Sequence, residues 1–209
     1  MSRLKLYLAP GTCALAVHIA LHEAGVDHEV VKLNFAAGEQ RSPEYLAINP
    51  KGRVPALVTP EGVLTETPAL LLYVAQSFPQ AGLAPLDSPF ALARLQEFNS
   101  YLSSTVHINH AHRPRATRWA DEPEAIAGMQ RKVAQNMTEN FRYIEQVWLH
   151  QGPWVLGDHY SVADGYLYTV GEWLAGDSVD IQQFPRVVAH RERLLQRPAV
   201  QRALATAKA

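Results

Sequence analysis

A change of pattern near residue 80 limits what this chain can fold into. Before it, short apolar runs alternate with helical stretches. The residues predict a strand at 4–8, a helix at 14–24 stopped by Gly25 and a strand at 28–33. A short helical turn in EYLAINPKG follows, then a hairpin around Pro60-Glu61-Gly62 and a helix at 68–78 with Pro68 in its first turn. This β-α-β-α-β-β-α order makes the first two strands parallel neighbours through a right-handed crossover, and the hairpin adds antiparallel strands. PQAGLAPLDSPF, residues 79–90, interrupts the pattern with glycine and proline. Beyond it no strand is predicted. Helical patterns run over 88–118, 124–150, 161–175, 185–196 and 199–207. The expected architecture is α/β plus all-α: a small α/β domain at 1–79, a linker at 80–88 and an all-helical domain at 89–209.

Nothing in the charge recruits a polyanion. Lysine and arginine number 19 against 20 acids, a net charge of −1, so nucleic acid and a membrane surface are not expected partners. The opening MSRLKLYLAPG is interrupted too early for a signal peptide, and no apolar run reaches the roughly 20 residues that span a bilayer. One cysteine allows no internal disulfide, which suits a reducing compartment; the expected location is the cytoplasm.

That cysteine, Cys13, stands where the first strand turns into the first helix. Unsatisfied N–H groups and the positive end of the helix dipole there favour a thiolate; the alternative is a small buried hydrophobe. Val54-Pro55 opens an apolar strand, where a proline is either a trans residue at the strand entrance or a cis residue that turns a backbone amide toward a ligand. Glu66-Thr67 opens a helix, as an ordinary N-cap or as a site where the N–H groups take a carboxylate and Glu66 takes an amine. His107 and His110 lie three apart on a helix with His112 off that face. No carboxylate or second thiolate stands at a useful spacing, so no metal is expected. Ser161 and Asp164 in YSVAD form a capping box with Asp in place of Glu, which is structural.

Together, APGTCALAVHIAL, INPKGRVPAL, LTETPALLLYVA and GDHYSVAD resemble the cytosolic glutathione transferases over nearly the whole chain. The cysteine at the first turn and the histidine opening the helical half are most similar to the bacterial beta class. The resemblance implies a thioredoxin-like domain followed by a helical-bundle domain, glutathione as co-substrate, no metal, and a homodimer. It implies a cis Pro55, a Val54 backbone that pairs with the cysteinyl part of glutathione, and a γ-glutamyl site at Glu66 and Thr67. Arg41, Lys51 and Arg53 are the candidates for the glycyl carboxylate. It sets His107 opposite Cys13 as a catalytic partner, with His110, Arg113 and Arg115 lining the electrophile cleft or solvated. Trp119, Tyr166 and Trp173 suit either the helical core or the wall of an apolar substrate site. Departures from the pattern are Ala14 where many relatives carry serine, with Thr12 as a substitute hydroxyl, and Ile108 where lysine is frequent. Ser100, beside Asn99, stands where an asparagine reaches across a dimer interface, and Gly165 where an apolar residue is usual. The implied activity is conjugation of the glutathione thiolate to small, largely apolar electrophiles in detoxification. The alternatives are a thiol–disulfide or peroxide reductase working through a Cys13 mixed disulfide, and a non-catalytic glutathione-binding protein.

Overall fold

The computed structural model describes residues 4–208; residues 1–3 and 209, at the outer ends of the two expected domains, lie outside it. β1 (Leu4–Leu8) leads into α1 (Ala14–Glu23), β2 (His28–Lys32), a short α2 (Pro43–Leu46), the hairpin β3 (Ala56–Thr59) and β4 (Gly62–Thr65), and α3 (Thr67–Ser77). The sheet order is β2-β1-β3-β4, with β1 parallel to β2 and antiparallel to β3. Alternation along β1 sends Leu4, Leu6 and Leu8 into the core while Lys5 and Tyr7 stay partly exposed. The fold is a thioredoxin-like domain followed by a helical domain, the α/β-then-helical order that the pattern predicted and the form that the resemblance implied.

After α3, a single turn at Pro79–Ala81 precedes α4 (Pro89–Tyr101). The expected helix over 88–118 is broken. α4 passes through a π-helical segment, Leu102–Val106, into α5 (His107–Ala111), and the chain then turns. Pro114 supplies the reason, since it has no N–H to donate and disfavours helical backbone before it. α6 (Pro123–Tyr143) ends in a second π segment, Ile144–Trp148, followed by α7 (Val162–Gly171), α8 (Pro185–Leu195) and α9 (Pro198–Lys208). Among the described residues no helix is long and apolar enough to cross a membrane.

The sequence predicts α1 to be covered on one side, yet Ala14 and every residue from Ala16 to Leu21 are buried. The second layer supplies the difference, because α7 and α9 pack on the face that the sheet and α3 leave open. Gly165 makes the close approach possible: a Cβ there would sit 3.2 Å from Ile19 Cγ2 and 3.6 Å from the Tyr160 hydroxyl. An apolar side chain at 165 would occupy the space that Ile19 fills. At the base of α7, Asp164 is fully buried. Its carboxylate accepts from the N–H of Ser161 (2.8 Å) and of Val155 (2.8 Å) and from His190 Nε2 (3.0 Å). Ser161 Oγ accepts in turn from the Ala163 N–H, so the predicted capping box is present and extends to α8.

Candidate active site

The β1–α1 turn sets the first side chain. Thr12 Oγ1 donates to the Ala9 carbonyl (2.7 Å), which commits that hydroxyl to shaping the turn. Cys13 caps α1, and its Sγ lies 3.8 Å from the Val54 carbonyl, within reach for the thiol to donate. Cys13 is only 7% exposed. Burial raises its pKa above the ordinary thiol value, outweighing the Thr67 hydroxyl and the Arg115 charge that pull it down. The helix N-terminus therefore does not make a thiolate here; Cys13 is a protonated donor at neutral pH. The thiolate expected from position alone is corrected by desolvation.

The Val54–Pro55 peptide is cis, and a braced loop presents it. Asn49, buried, donates through Nδ2 to the Arg53 carbonyl (2.7 Å), and the Tyr45 hydroxyl donates to the same oxygen (2.6 Å). Gly52 holds φ +60, and a Cβ there would meet the Gln40 carbonyl at 2.9 Å, so only glycine fits this bend. Lys51 Nζ donates to Thr65 Oγ1 (2.7 Å) and pairs closely with Glu66 Oε1. Glu66 carries φ +71, a conformation that costs a non-glycine residue on the order of 1–3 kcal/mol. It turns the chain into α3, which Thr67 starts at the wall of the cavity with Pro68 following.

The helical domain brings the opposing wall. The π segment leads directly into His107, a geometry frequent at functional sites. Burial first, then the charges of Arg115, His110, Arg53 and Arg118, lowers the His107 pKa to about 4, so the ring is neutral at physiological pH. Trp173 lies against both histidines, tilted at 4.9 Å from His107 and stacked at 4.4 Å on His110. His110 is held from behind by the buried Asp177 (2.8 Å). Trp173 Nε1 donates to the Gly11 carbonyl (3.0 Å), tying the helical domain to the turn that carries Cys13. The Tyr166 hydroxyl is buried without a hydrogen-bond partner among the described residues. Burial, with Cys13 and Glu66 nearby, raises its pKa well above the ordinary phenol value.

These groups line one cleft of about 320 Å³ between the two layers, within the size range of small-molecule sites. Cys13, Val54, Pro55, Glu66 and Thr67 form one wall; His107, Tyr166 and Trp173 form the other. The chain matches the family models "Glutathione S-transferase, N-terminal domain" over residues 2–76 and "Glutathione S-transferase, C-terminal domain" over residues 110–207. It belongs to the glutathione S-transferase family.

Relatives agree over the full length. Glutathione S-transferase GstA of Escherichia coli O157:H7 is 32% identical over 206 residues, covering 96% of this chain and 97% of that protein. The structure of a Sulfitobacter glutathione transferase homologue with bound glutathione is 42% identical, covers 99% of both chains and superposes with a TM-score of 0.95. A bacterial beta-class glutathione S-transferase from Sphingomonas chungbukensis is 33% identical, covering 97% of this chain and 98% of its own, with a TM-score of 0.85.

All the residues singled out from the transferase resemblance as catalytic or glutathione-binding line the cleft, Arg41, Lys51 and Arg53 included. The histidine run does not gather: His107 and His110 lie against Trp173, and His112 packs on Trp119 at 4.5 Å. Ser100 is exposed, whereas Asn99 is turned fully inward. Sequence reading missed Arg118, which joins Arg41, Arg53 and Arg115 in one basic group at the mouth. It also missed Asp177, whose role depends on a fold-back that no local pattern encodes. Arg118 follows Arg113 and Arg115 closely enough that their clustering was a usable signal.

Proposed function

We propose that this chain is a beta-class-like glutathione transferase in which the Cys13 thiol donates a hydrogen bond to the glutathione thiolate rather than attacking a disulfide. The observation that carries this reading is the placement of Cys13, a buried thiol lining the cleft beside the cis Val54–Pro55 bond, where burial raises its pKa. The first domain, residues 1–79, binds the tripeptide, and after the linker at 80–88 the helical domain, 89–209, holds the electrophile. Glu66 takes the γ-glutamyl ammonium and the α3 N-terminus at Thr67 its carboxylate. The Val54 backbone pairs with the cysteinyl unit. Arg41 and Arg53 hold the glycyl carboxylate electrostatically, with Arg115 and Arg118 raising the local positive potential, while Lys51, paired with Glu66, stands at the γ-glutamyl end.

Catalysis is then ionisation and positioning of one thiol. Cys13 stabilises the sulfur anion as donor, neutral His107 is a second donor, and the sulfur's proton leaves to solvent. Small, largely apolar electrophiles fit against Trp173, Ile108 and Trp119, in keeping with a detoxifying role in the cytoplasm. The family's dimeric habit and the bound glutathione of the Sulfitobacter homologue support a homodimer that uses glutathione as co-substrate.

Intact-mass analysis after incubation with glutathione disulfide, paired with turnover of an electrophile panel, tests the reading. Conjugation without a reducible adduct on Cys13 is expected. A stoichiometric adduct assigns the mixed-disulfide reductase instead, and glutathione binding with no turnover of any electrophile assigns a binding protein.

A further inference from the structure

The structure assigns a second site, away from the cleft: His18, His22 and His28 form a three-histidine site for a borderline divalent transition metal ion, with zinc as its representative. His18 and His22 are one turn apart on α1, and His28 opens β2, the strand that pairs with β1 beneath that helix. His22 lies nine residues beyond Cys13, about 13 Å along the helix by its rise. The three rings form a closed triangle with centroid separations of 4.7, 5.3 and 5.0 Å.

The nitrogens converge as ligands must. One from each ring lies within 4.8 Å of the other two. His18 Nε2 and His22 Nε2 are 3.1 Å apart. Two nitrogens each ~2.0–2.1 Å from a tetrahedral zinc ion are about 3.3 Å apart, so this pair already spans one edge of the coordination shell. His22 and His28 are only partly buried, which leaves their rings room to close the remaining edges. His28 Nδ1 contacts the Val26 carbonyl at 2.8 Å. Nδ1 therefore carries the proton, and the lone pair is on Nε2, the arrangement in which an outer hydrogen bond orients a metal-ligating histidine. Without an ion the two Nε2 atoms share a hydrogen bond, which metal ligation would replace by moving the shared proton to the Nδ1 of its ring; His18 Nδ1 is buried without a partner among the described residues.

Ligation requires neutral rings, so affinity for the ion falls as pH drops through the imidazole range. The charges facing the triad are of both signs: Lys32 and the Arg202 guanidinium of α9 oppose a cation, whereas Asp27 and Glu29 line the same cavity. Three imidazoles favour zinc, nickel, cobalt or copper over calcium or magnesium. The cavity is open enough for water to complete a fourth position. Such an ion would clamp the C-terminal half of α1 to β2, bracing the helix whose other end presents Cys13.

Calorimetric titration of the full chain with zinc chloride at neutral pH, in a buffer that does not chelate, is the test. One saturable site per chain is expected. His22→Gln and His28→Gln should each weaken it by at least about tenfold, the loss that even an outer partner of a ligand causes. Cobalt titration separates this site from Cys13, because nitrogen and water ligands give visible tetrahedral bands without thiolate-to-metal charge transfer. No saturable binding, unchanged affinity in both variants, or a charge-transfer band overturns the assignment. Should either variant fail to fold, the wild-type cobalt spectrum decides alone: tetrahedral bands without charge transfer support the site, and their absence rejects it.

Discussion

Replacing Asp164 with alanine should unfold this protein far more readily without touching its chemistry. The carboxylate is fully buried and holds three N–H donors, those of Ser161, Val155 and His190, at 2.8, 2.8 and 3.0 Å. All three residues are themselves buried, at 2%, 4% and 1% exposure, so water cannot replace the lost acceptor. A buried donor left unpaired costs about 1–3 kcal/mol, and three of them sum to roughly 3–6 kcal/mol after partial relaxation. Against a total stability of about 5–15 kcal/mol that is a large fraction. For a chain of this length each kcal/mol lowers Tm by about 2–4 °C, so a fall of about 10–15 °C is expected. Thermal and urea unfolding followed by circular dichroism measure it. Specific activity well below the transition should stay near wild type, because Asp164 does not line the cleft. Asp164→Asn keeps one acceptor oxygen and should lose about half as much. A loss under about 1 kcal/mol in the alanine variant, at unchanged urea dependence, would refute the reasoning.

Other expectations concern the cleft. Trp173→Phe keeps the ring against His107 and His110 but removes the bond to Gly11, so kcat should drop by up to about tenfold for about 1 kcal/mol of lost stability. Tyr166→Phe removes a buried hydroxyl that has no partner among the described residues; the unliganded protein should be as stable or up to about 1 kcal/mol more stable, and turnover should fall if that hydroxyl serves the bound sulfur. For His107 the folded pKa, about 4, lies below the unfolded value of about 6.5, so the unfolded chain takes up its proton first on acidification. Its contribution to stability is complete above about pH 6.5 and is lost as pH falls through about 4. His107→Gln should accordingly show a shallower loss of stability over that window in urea titrations at several pH values.

The sheet was legible because its signals are local: alternation in β1, the Pro60-Glu61-Gly62 turn and proline at the start of α3 all act within a few residues. The capping box was legible for the same reason, but its extension to Val155 and His190 was not, since those donors arrive from other segments. Cys13 shows the limit most clearly. Its place at the head of α1 argued for a thiolate, and the packing around it argues for a thiol. Val54, Thr67 and Tyr166 stand next to it, positions up to 153 residues away that no reading of the turn alone can supply. The histidine triad divides likewise: the His18–His22 spacing is visible on a helix, while His28 joins only once β2 folds back beside β1.

A crystal structure of the protein with reduced glutathione tests the central claim most directly, through the distance between the glutathione sulfur and Cys13 Sγ. The tripeptide should lie along Val54, Glu66 and Thr67 with its sulfur in non-bonded hydrogen-bond contact with Cys13 and facing His107. A sulfur–sulfur distance near the ~2.05 Å of a disulfide, or glutathione seated away from these residues, would contradict it.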